Sequence, residues 1–381
     1  MRHSTRGMVD PFIVMDVMEA ARQAEAAGRH IIHMEVGQPG TGAPATARAR
    51  LAADLDDPLG YTVGLGLPDL RVRIAKHYGD WYNVDLDPGR VVITSGASGA
   101  FLLAFSALFD NAERVGLGTP CYPSYRQILK AVGLTPIDIP TTLEQRFQPQ
   151  PTAVADHNLA GMIVASPANP TGTMLTKDEL AAMSDACNSE GAALISDEIY
   201  HGLGYDRRAV SALEVTDDAY VVNSFSKYFS MTGWRVGWMV VPDDHVRIVE
   251  RLAQNMFICA PHAAQRLALY SMDCESELEQ NISVYTANRQ LMIDGLKAAG
   301  LTKFAPPDGA FYVYVDVSEY TEDALAFARE ILDQAGVAVT PGLDFDPVRG
   351  HHWLRFSYAR STADITEGLS RLTTFMQGRR T

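Results

Sequence analysis

The chain has 381 residues, 47% of them hydrophobic and 20% charged, with a formal net charge of −14. This length suits two domains and a large buried core, and the acidic balance argues against a nucleic-acid or anionic-membrane partner, either of which wants a basic face. Cys121, Cys187, Cys259 and Cys274 are scattered with no CxxC pair, which speaks against a disulfide framework or zinc site and fits the reduced thiols of a cytoplasmic protein.

In chain order, Met1 to Pro11 lacks the apolar stretch of a signal peptide. Val91–Thr94 reads as a strand and Ala100–Phe109 as a buried helix, too short to span a bilayer. Arg114–Leu117, Pro136–Ile139 and Met162–Ala165 read as further strands. Thr176 opens a helix: Thr176 and Glu179 form a capping box, Leu175 and Leu180 a hydrophobic staple, and Gly191 suits the C-cap. Ala192–Ile195, Tyr220–Val222 and Trp238–Val241 are strands. Near-continuous apolar strands separated by helices predict an α/β fold with a mostly parallel sheet covered on both faces.

From about residue 283 the pattern changes. A long helix is expected over Ser283–Gly300, a strand over Gly309–Val315, a helix over Glu322–Ala335, a strand over Trp353–Tyr358 and a last helix from about Ala363. The predicted division is a large domain at 46–282, a smaller α+β domain made of 12–45 with 283–381, and an N-terminal arm at 1–11.

Ligands of such sheets sit beyond the carboxyl ends of the strands. Four polar clusters fall there, which predicts one shared pocket. Ser95-Gly96-Ala97-Ser98 follows the first strand and opens a helix, where backbone N–H groups bind phosphate; an ordinary helix cap is the competing reading. Ser166-Pro167-Ala168-Asn169-Pro170-Thr171-Gly172 is a loop in which two prolines hold Asn169 at a defined point, with a simple turn as the alternative. Asp197 ends another strand; buried there, it needs a cationic partner to stay ionised. Its neighbour Glu198 should point to the opposite face, and Tyr200 could donate its phenol to a ring oxygen. A surface turn bearing two acids is the other reading.

The fourth cluster is Ser224-Phe225-Ser226-Lys227, followed by Gly233-Trp234-Arg235-Val236-Gly237. An imine-forming lysine needs a neutral amine beside a fixed cofactor, and hydroxyls with an arginine suit a phosphate ester. Arg355, in the apolar strand Leu354-Arg355-Phe356-Ser357-Tyr358, must pair with an anion; its planar fork suits a carboxylate. An internal salt bridge to Asp or Glu is the competing reading, and for this residue taken alone the more ordinary one.

Together these motifs resemble the class I/II pyridoxal-5′-phosphate aminotransferases of fold type I, the aspartate-aminotransferase-like family, in the family's order from about Gly37 to Tyr358. The resemblance implies a seven-stranded, mostly parallel sheet in the large domain. It implies that Lys227 is the Schiff-base lysine and proton shuttle, and that Asp197 pairs with the pyridine nitrogen. Tyr200 and Asn169 would reach the ring 3′-oxygen, and Tyr122 would stack on the ring. Ser224, Ser226 and Arg235 would bind the phosphate, with Gly96, Ala97 and Ser98 at the helix start. Arg355 would hold the substrate α-carboxylate beside Gly37 and Asn169. Tyr61 would reach the phosphate of a neighbouring subunit, which implies a homodimer with shared active sites. The implied activity moves an amino group from an L-amino acid to a 2-oxo acid by ping-pong kinetics. No basic residue stands at Ala97-Ser98-Gly99-Ala100 for a second substrate carboxylate, so a neutral, apolar or aromatic donor is expected at least as readily as a dicarboxylic one. A Cα or Cβ lyase of C–S lyase or aminocyclopropane-carboxylate synthase type remains the alternative on the same cofactor, and a non-enzymatic ligand-binding module is the more distant one.

Overall fold

A computed structural model describes residues 1–56 and 58–379. Twelve strands are seen among them: β1 (Ile32–His33), β2 (Val91–Thr94), β3 (Arg114–Thr119), β4 (Thr135–Pro140), β5 (Gly161–Ala165), β6 (Ala193–Asp197), β7 (Ala219–Ser224), β8 (Gly237–Val240), β9 (Tyr312–Asp316), β10 (Val337–Ala338), β11 (Thr340–Pro341) and β12 (Trp353–Ser357). Seven form one sheet in the order β2-β8-β7-β6-β5-β3-β4. All pairings in it are parallel except those of β8, which runs against both β2 and β7. The expected mostly parallel seven-stranded sheet is therefore present.

Side-chain alternation explains why its strands read as continuous apolar runs. In β5, Met162 and Val164 enter one core and Ile163 the other; in β7, Val221 faces the first, and Tyr220 and Val222 the second. Both faces are buried, so polar residues are confined to the carboxyl ends of the central strands, at Ser196 and Asp197 on β6 and Asn223 and Ser224 on β7.

The local signals at 176–191 hold. Thr176 Oγ1 accepts from the Glu179 N–H at 3.2 Å, and Glu179 Oε2 accepts from the Thr176 N–H at 2.7 Å. Gly191 closes the helix with φ 67°. Other boundaries differ. The helix expected to begin at Ser283 begins at Glu275 and ends at Ala298; Glu275 and Glu277 sit in its first turn, where carboxylates favour the helix dipole. It runs straight through the expected division at 282. The helix expected from Ala100 begins at Gly96. The strand expected over Gly309–Val315 begins only at Tyr312. Gly309 is instead wedged between loops, where an added Cβ would lie 2.6 Å from both the Leu203 carbonyl and a Pro167 ring carbon.

A second, antiparallel sheet has the order β11-β12-β9, and β1 pairs in parallel with β10. This places a segment from near the N-terminus beside the last third of the chain. Among the described residues no helix is long and apolar enough to cross a membrane.

Candidate active site

The reversal at β8 brings the lysine and the arginine of the fourth motif together. In the β7–β8 pairing Ser224 stands opposite Gly237, so residues 225–236 form the connecting loop. Within it Arg235 adopts a left-handed conformation, φ 53° and ψ 53°, a costly geometry for a non-glycine residue that marks a constrained site. The close approach of this loop to the helix Gly96–Leu108 demands two glycines. A Cβ on Gly96, at φ +71°, would meet the Arg235 guanidinium at 2.4 Å, and one on Gly237 would meet the Asn223 carbonyl at 2.8 Å.

At the carboxyl ends of β5, β6 and β7 lies a cavity of about 520 Å³. Lys227, Asp197, Tyr200 and Asn169 line it, as do Ser226, Arg235, Ala97 and Ser98 from the loop and the helix start. Tyr122, Gly37 and Arg355 complete the set of predicted residues at the wall. Three others stand elsewhere. Gly96 is the seat of the Arg235 guanidinium. The Ser224 hydroxyl lies 2.9 Å from Ser226 Oγ, and its oxygen accepts from the Ser226 N–H at 3.1 Å, so it braces the loop. Tyr61 is 82% exposed, away from the cavity.

Lys227 Nζ donates to the Gly37 carbonyl at 2.5 Å. Burial, aided by the charges of Arg355 and Arg235, lowers its pKa to about 7. The amine is thus substantially neutral near neutral pH, the condition for a nucleophile. Burial raises Asp197 to about 6, opposed by hydrogen bonds from the Tyr125 hydroxyl and the Ile199 N–H. A cationic group placed against it would hold it ionised. Glu198 points the other way, as the pleat predicts, and accepts from Ser211 Oγ and the Ala212 N–H.

The Ser166–Gly172 loop is held from behind. His201, kept neutral by burial that pushes it to about 3, donates from Nε2 to the Ser166 carbonyl at 2.9 Å and accepts from Tyr82 at Nδ1. Asn169 Oδ1 accepts from Arg355 Nη1 at 2.8 Å. Arg355 Nη2 reaches the Glu35 carbonyl and, at 3.3 Å, Thr340 Oγ1. None of these partners is a carboxylate, and Nε is buried without a partner. The guanidinium lies 4.4 Å from the Tyr312 ring and 4.8 Å from that of Phe345. Among the described residues no carboxylate lies within ion-pair distance of this dry cation, which makes it a strong carboxylate site, so an internal salt bridge is not what satisfies it.

Three features escaped the sequence reading. Tyr125 donates to Asp197; its spacing of three from Tyr122 on the helix Pro123–Val132 was the available signal. Tyr312 hydrogen-bonds Tyr200 at 2.7 Å and fills the space above Gly37, where an added Cβ would lie 1.7 Å from its hydroxyl. An apolar wall of Phe12, Val14, Met15 and Met18, together with Ile128, faces the cavity, and nothing local to residues 12–18 announces that role.

The chain matches the family described as aminotransferase class I and II over residues 29–372. It is 45% identical over 378 residues to the valine–pyruvate aminotransferase of Mycobacterium tuberculosis, covering 97% of each chain. A Silicibacter pomeroyi crystal structure assigned to the aminotransferases superposes with a TM-score of 0.96 at 66% identity, covering 99% of this chain and 100% of that one. The aspartate aminotransferase of Thermus thermophilus with maleate superposes with a TM-score of 0.92 at 28% identity, covering 98% and 100%. The chain belongs to the class I and II aminotransferases, and its activity is the transfer of an amino group between amino acids and 2-oxo acids.

Proposed function

We propose that this aminotransferase works with pyridoxal 5′-phosphate carried on Lys227 and takes neutral, apolar amino acids as donors. The observation that carries this reading is a single cavity in which a buried amine near its neutral form faces a buried carboxylate and two arginines. Enzymes of this family are pyridoxal-phosphate enzymes in general, and the donor set fits that group. Arg235, Ser226 and the start of the helix Gly96–Leu108 suit its phosphate. Asp197 suits its ring nitrogen, Tyr122 its face, and Asn169 and Tyr200 its phenolic oxygen. When bound, the ring supplies an electron sink for charge developing at the substrate Cα.

The remaining chemistry belongs to the chain's own residues. Arg355 takes the substrate α-carboxylate and, with Asn169, fixes its orientation. Lys227 Nζ then removes the Cα proton and returns a proton on the other side of the transfer. Asp197, which accepts from the Tyr125 hydroxyl, would pair with the ring nitrogen and so hold a positive charge there. A 2-oxo acid leaves, a second one enters, and the kinetics are ping-pong.

The donor class rests on the lining. Its basic members are Lys227, Arg235 and Arg355, each already engaged, and the wall beyond them is Phe12, Val14, Met15, Met18 and Ile128. A second carboxylate would meet apolar surface there. The valine–pyruvate activity named for the Mycobacterium tuberculosis relative agrees with this. The transaminase relatives leave the lyase alternative without a supporting observation.

The proposal extends to a homodimer. Tyr61, Leu59 and Val63 are large exposed apolar side chains within one short segment, as an interface requires, with Tyr61 reaching the partner's phosphate. It also keeps a large domain at 46–282 and a smaller one of 12–45 with 283–381, the helix Glu275–Ala298 spanning the boundary between them, and a cytoplasmic location, which suits four free cysteines. A panel of amino acids with pyruvate as acceptor tests the function. Valine, leucine and aromatic donors should give their 2-oxo acids only with acceptor present; acceptor-independent release of ammonia and pyruvate would establish a lyase instead.

A further inference from the structure

The helix Ile13–Ala26 has no capping side chain of its own: Phe12 stands at the N-cap and contributes none. Its cap comes from the other end of the chain. Asp344, 4% exposed, accepts from the Ile13 N–H with Oδ1 at 2.9 Å and from the Val14 N–H with Oδ2 at 3.1 Å. Both oxygens of a buried carboxylate thus grip the first two amides, where its charge also meets the positive end of the helix dipole. The helix is otherwise lightly held. Only Val14 and Ala21 of its residues are buried, and Ala21 packs in a small cluster with Ile31, Leu332 and Ala338 that anchors the far half. The near half carries Val14, Met15 and Met18 into the cavity wall.

The residue after Asp344 packs against the carboxylate clamp: the Phe345 ring lies 4.8 Å from the Arg355 guanidinium. The Phe345 carbonyl also accepts from the Cys121 N–H at 3.1 Å, next to Tyr122. The turn Gly342–Asp344 itself follows β11, where Thr340 stands opposite Arg355 in the β11–β12 pairing. One short turn therefore holds both the group that takes the substrate carboxylate and the wall that meets its side chain.

We propose that Asp344 is a positioning residue that fixes the apolar wall at a set distance from Arg355 and thereby selects the donor side chain. This rests on the reading of the cavity as an amino-acid site. Losing the grip frees residues 12–18, while Arg355 keeps its own bonds to Asn169, the Glu35 carbonyl and Thr340, so binding of a long side chain suffers more than that of a short one.

The test compares leucine and alanine as donors in the holoenzyme and in the variants Asp344→Ala and Asp344→Asn, alongside amide hydrogen exchange. For Asp344→Ala the leucine-to-alanine ratio of kcat/KM should fall about tenfold, through KM rather than kcat. Amides of residues 13–18 should exchange about tenfold faster while β5, β6 and β7 are unchanged. Asp344→Asn, which keeps one acceptor oxygen, should fall between. An unchanged ratio, or an equal loss for both donors with a lowered Tm, overturns the assignment. If the wild type accepts neither donor, the neutral-donor reading fails by itself; exchange then decides for the grip, and unchanged exchange at 13–18 rejects it.

Discussion

The cavity has two unlike halves. One is built at the ends of β5, β6 and β7 and the start of the helix Gly96–Leu108, and holds Asp197, Lys227 and Arg235 on short loops leaving a rigid, doubly covered sheet. The other is built where the chain ends meet: Arg355 on β12 bonds the carbonyl of Glu35, 320 positions away, and Asp344 caps a helix 331 positions away. The first half fixes charge in space; the second gathers an apolar wall around one arginine. The contrast assigns the chemistry common to any donor to the sheet, and the choice of donor to the pairing of the termini.

The largest effects should come from the sheet half. Lys227→Ala should lower kcat at least about 10,000-fold with every donor alike, since it removes both the attachment point and the proton carrier. Borohydride should then fix no cofactor to the protein. The same amine gives a pH test in the cofactor-free protein. With a pKa lowered to about 7, its neutral fraction rises with pH, so its labelling by a small aldehyde under reducing conditions should increase through a midpoint near 7 and level off above 8. A midpoint near 10 would mean that burial does not govern this amine, and the contrast between the halves would lose its electrostatic basis.

Arg355→Ala should act next, through binding. Losing a buried charged pairing costs roughly 2–4 kcal/mol, which places the fall in kcat/KM at about 30- to 1,000-fold, expressed mainly in KM. An unaltered KM for every donor would show Arg355 to be a structural strut between Asn169 and Glu35.

Tyr125→Phe sharpens the comparison further. Its hydroxyl donates to Asp197 and holds that carboxylate down against burial. Removing a hydrogen bond to a charged group costs about 1.5–3 kcal/mol, so kcat should fall by about ten- to a hundredfold with KM little moved. Without this donor the Asp197 pKa rises further, and the acid limb of the pH–rate profile should shift to higher pH. A loss carried by KM alone would place Tyr125 with the substrate half.

The same contrast explains what could be read in advance. The four polar clusters at strand ends, Asp197 and Glu198 on opposite faces, and the capping box at Thr176 are local signals, set by neighbours in the chain. The helices Pro68–Tyr82 and Pro123–Val132 also carry one, a proline in the first turn with left-handed Asn83 and Gly133 at their ends. The helix Ile13–Ala26 carried none, because its cap is Asp344. The wall of Phe12, Val14, Met15 and Met18 was hidden for the same reason. Tyr312 was visible as a strand residue, but its place above Gly37 depends on packing between β9 and the 35–39 segment. The direction of β8 was invisible too, although its reversal is what joins Lys227 to Arg235.

The smallest expected effect lies where the termini meet. His33 on β1 bonds Glu35 at 2.8 Å and Glu25 at 3.0 Å, and these bonds, Glu35 first, raise its pKa from the ordinary 6.5 to about 9. A raised pKa stabilises the fold while the imidazole is charged. The contribution is full below 6.5 and is lost as pH climbs through 9. The His33 side chain is 23% exposed and Glu25 44%, and water at that outer edge screens the cluster and holds the effect to about 1 kcal/mol. Lys227 works in the opposite sense in the cofactor-free protein: its lowered pKa makes the fold more stable as pH rises from 7 towards 10.5. Wild type alone would therefore show two trends partly cancelling. Urea unfolding of wild type and His33→Ala at pH 6.5, 8 and 9.5 separates them, because the Lys227 trend is common to both. The difference in stability between the two proteins should shrink steadily across that series. A constant difference would mean that His33 contributes packing rather than charge, and that Glu35 is held beside Arg355 by its backbone alone.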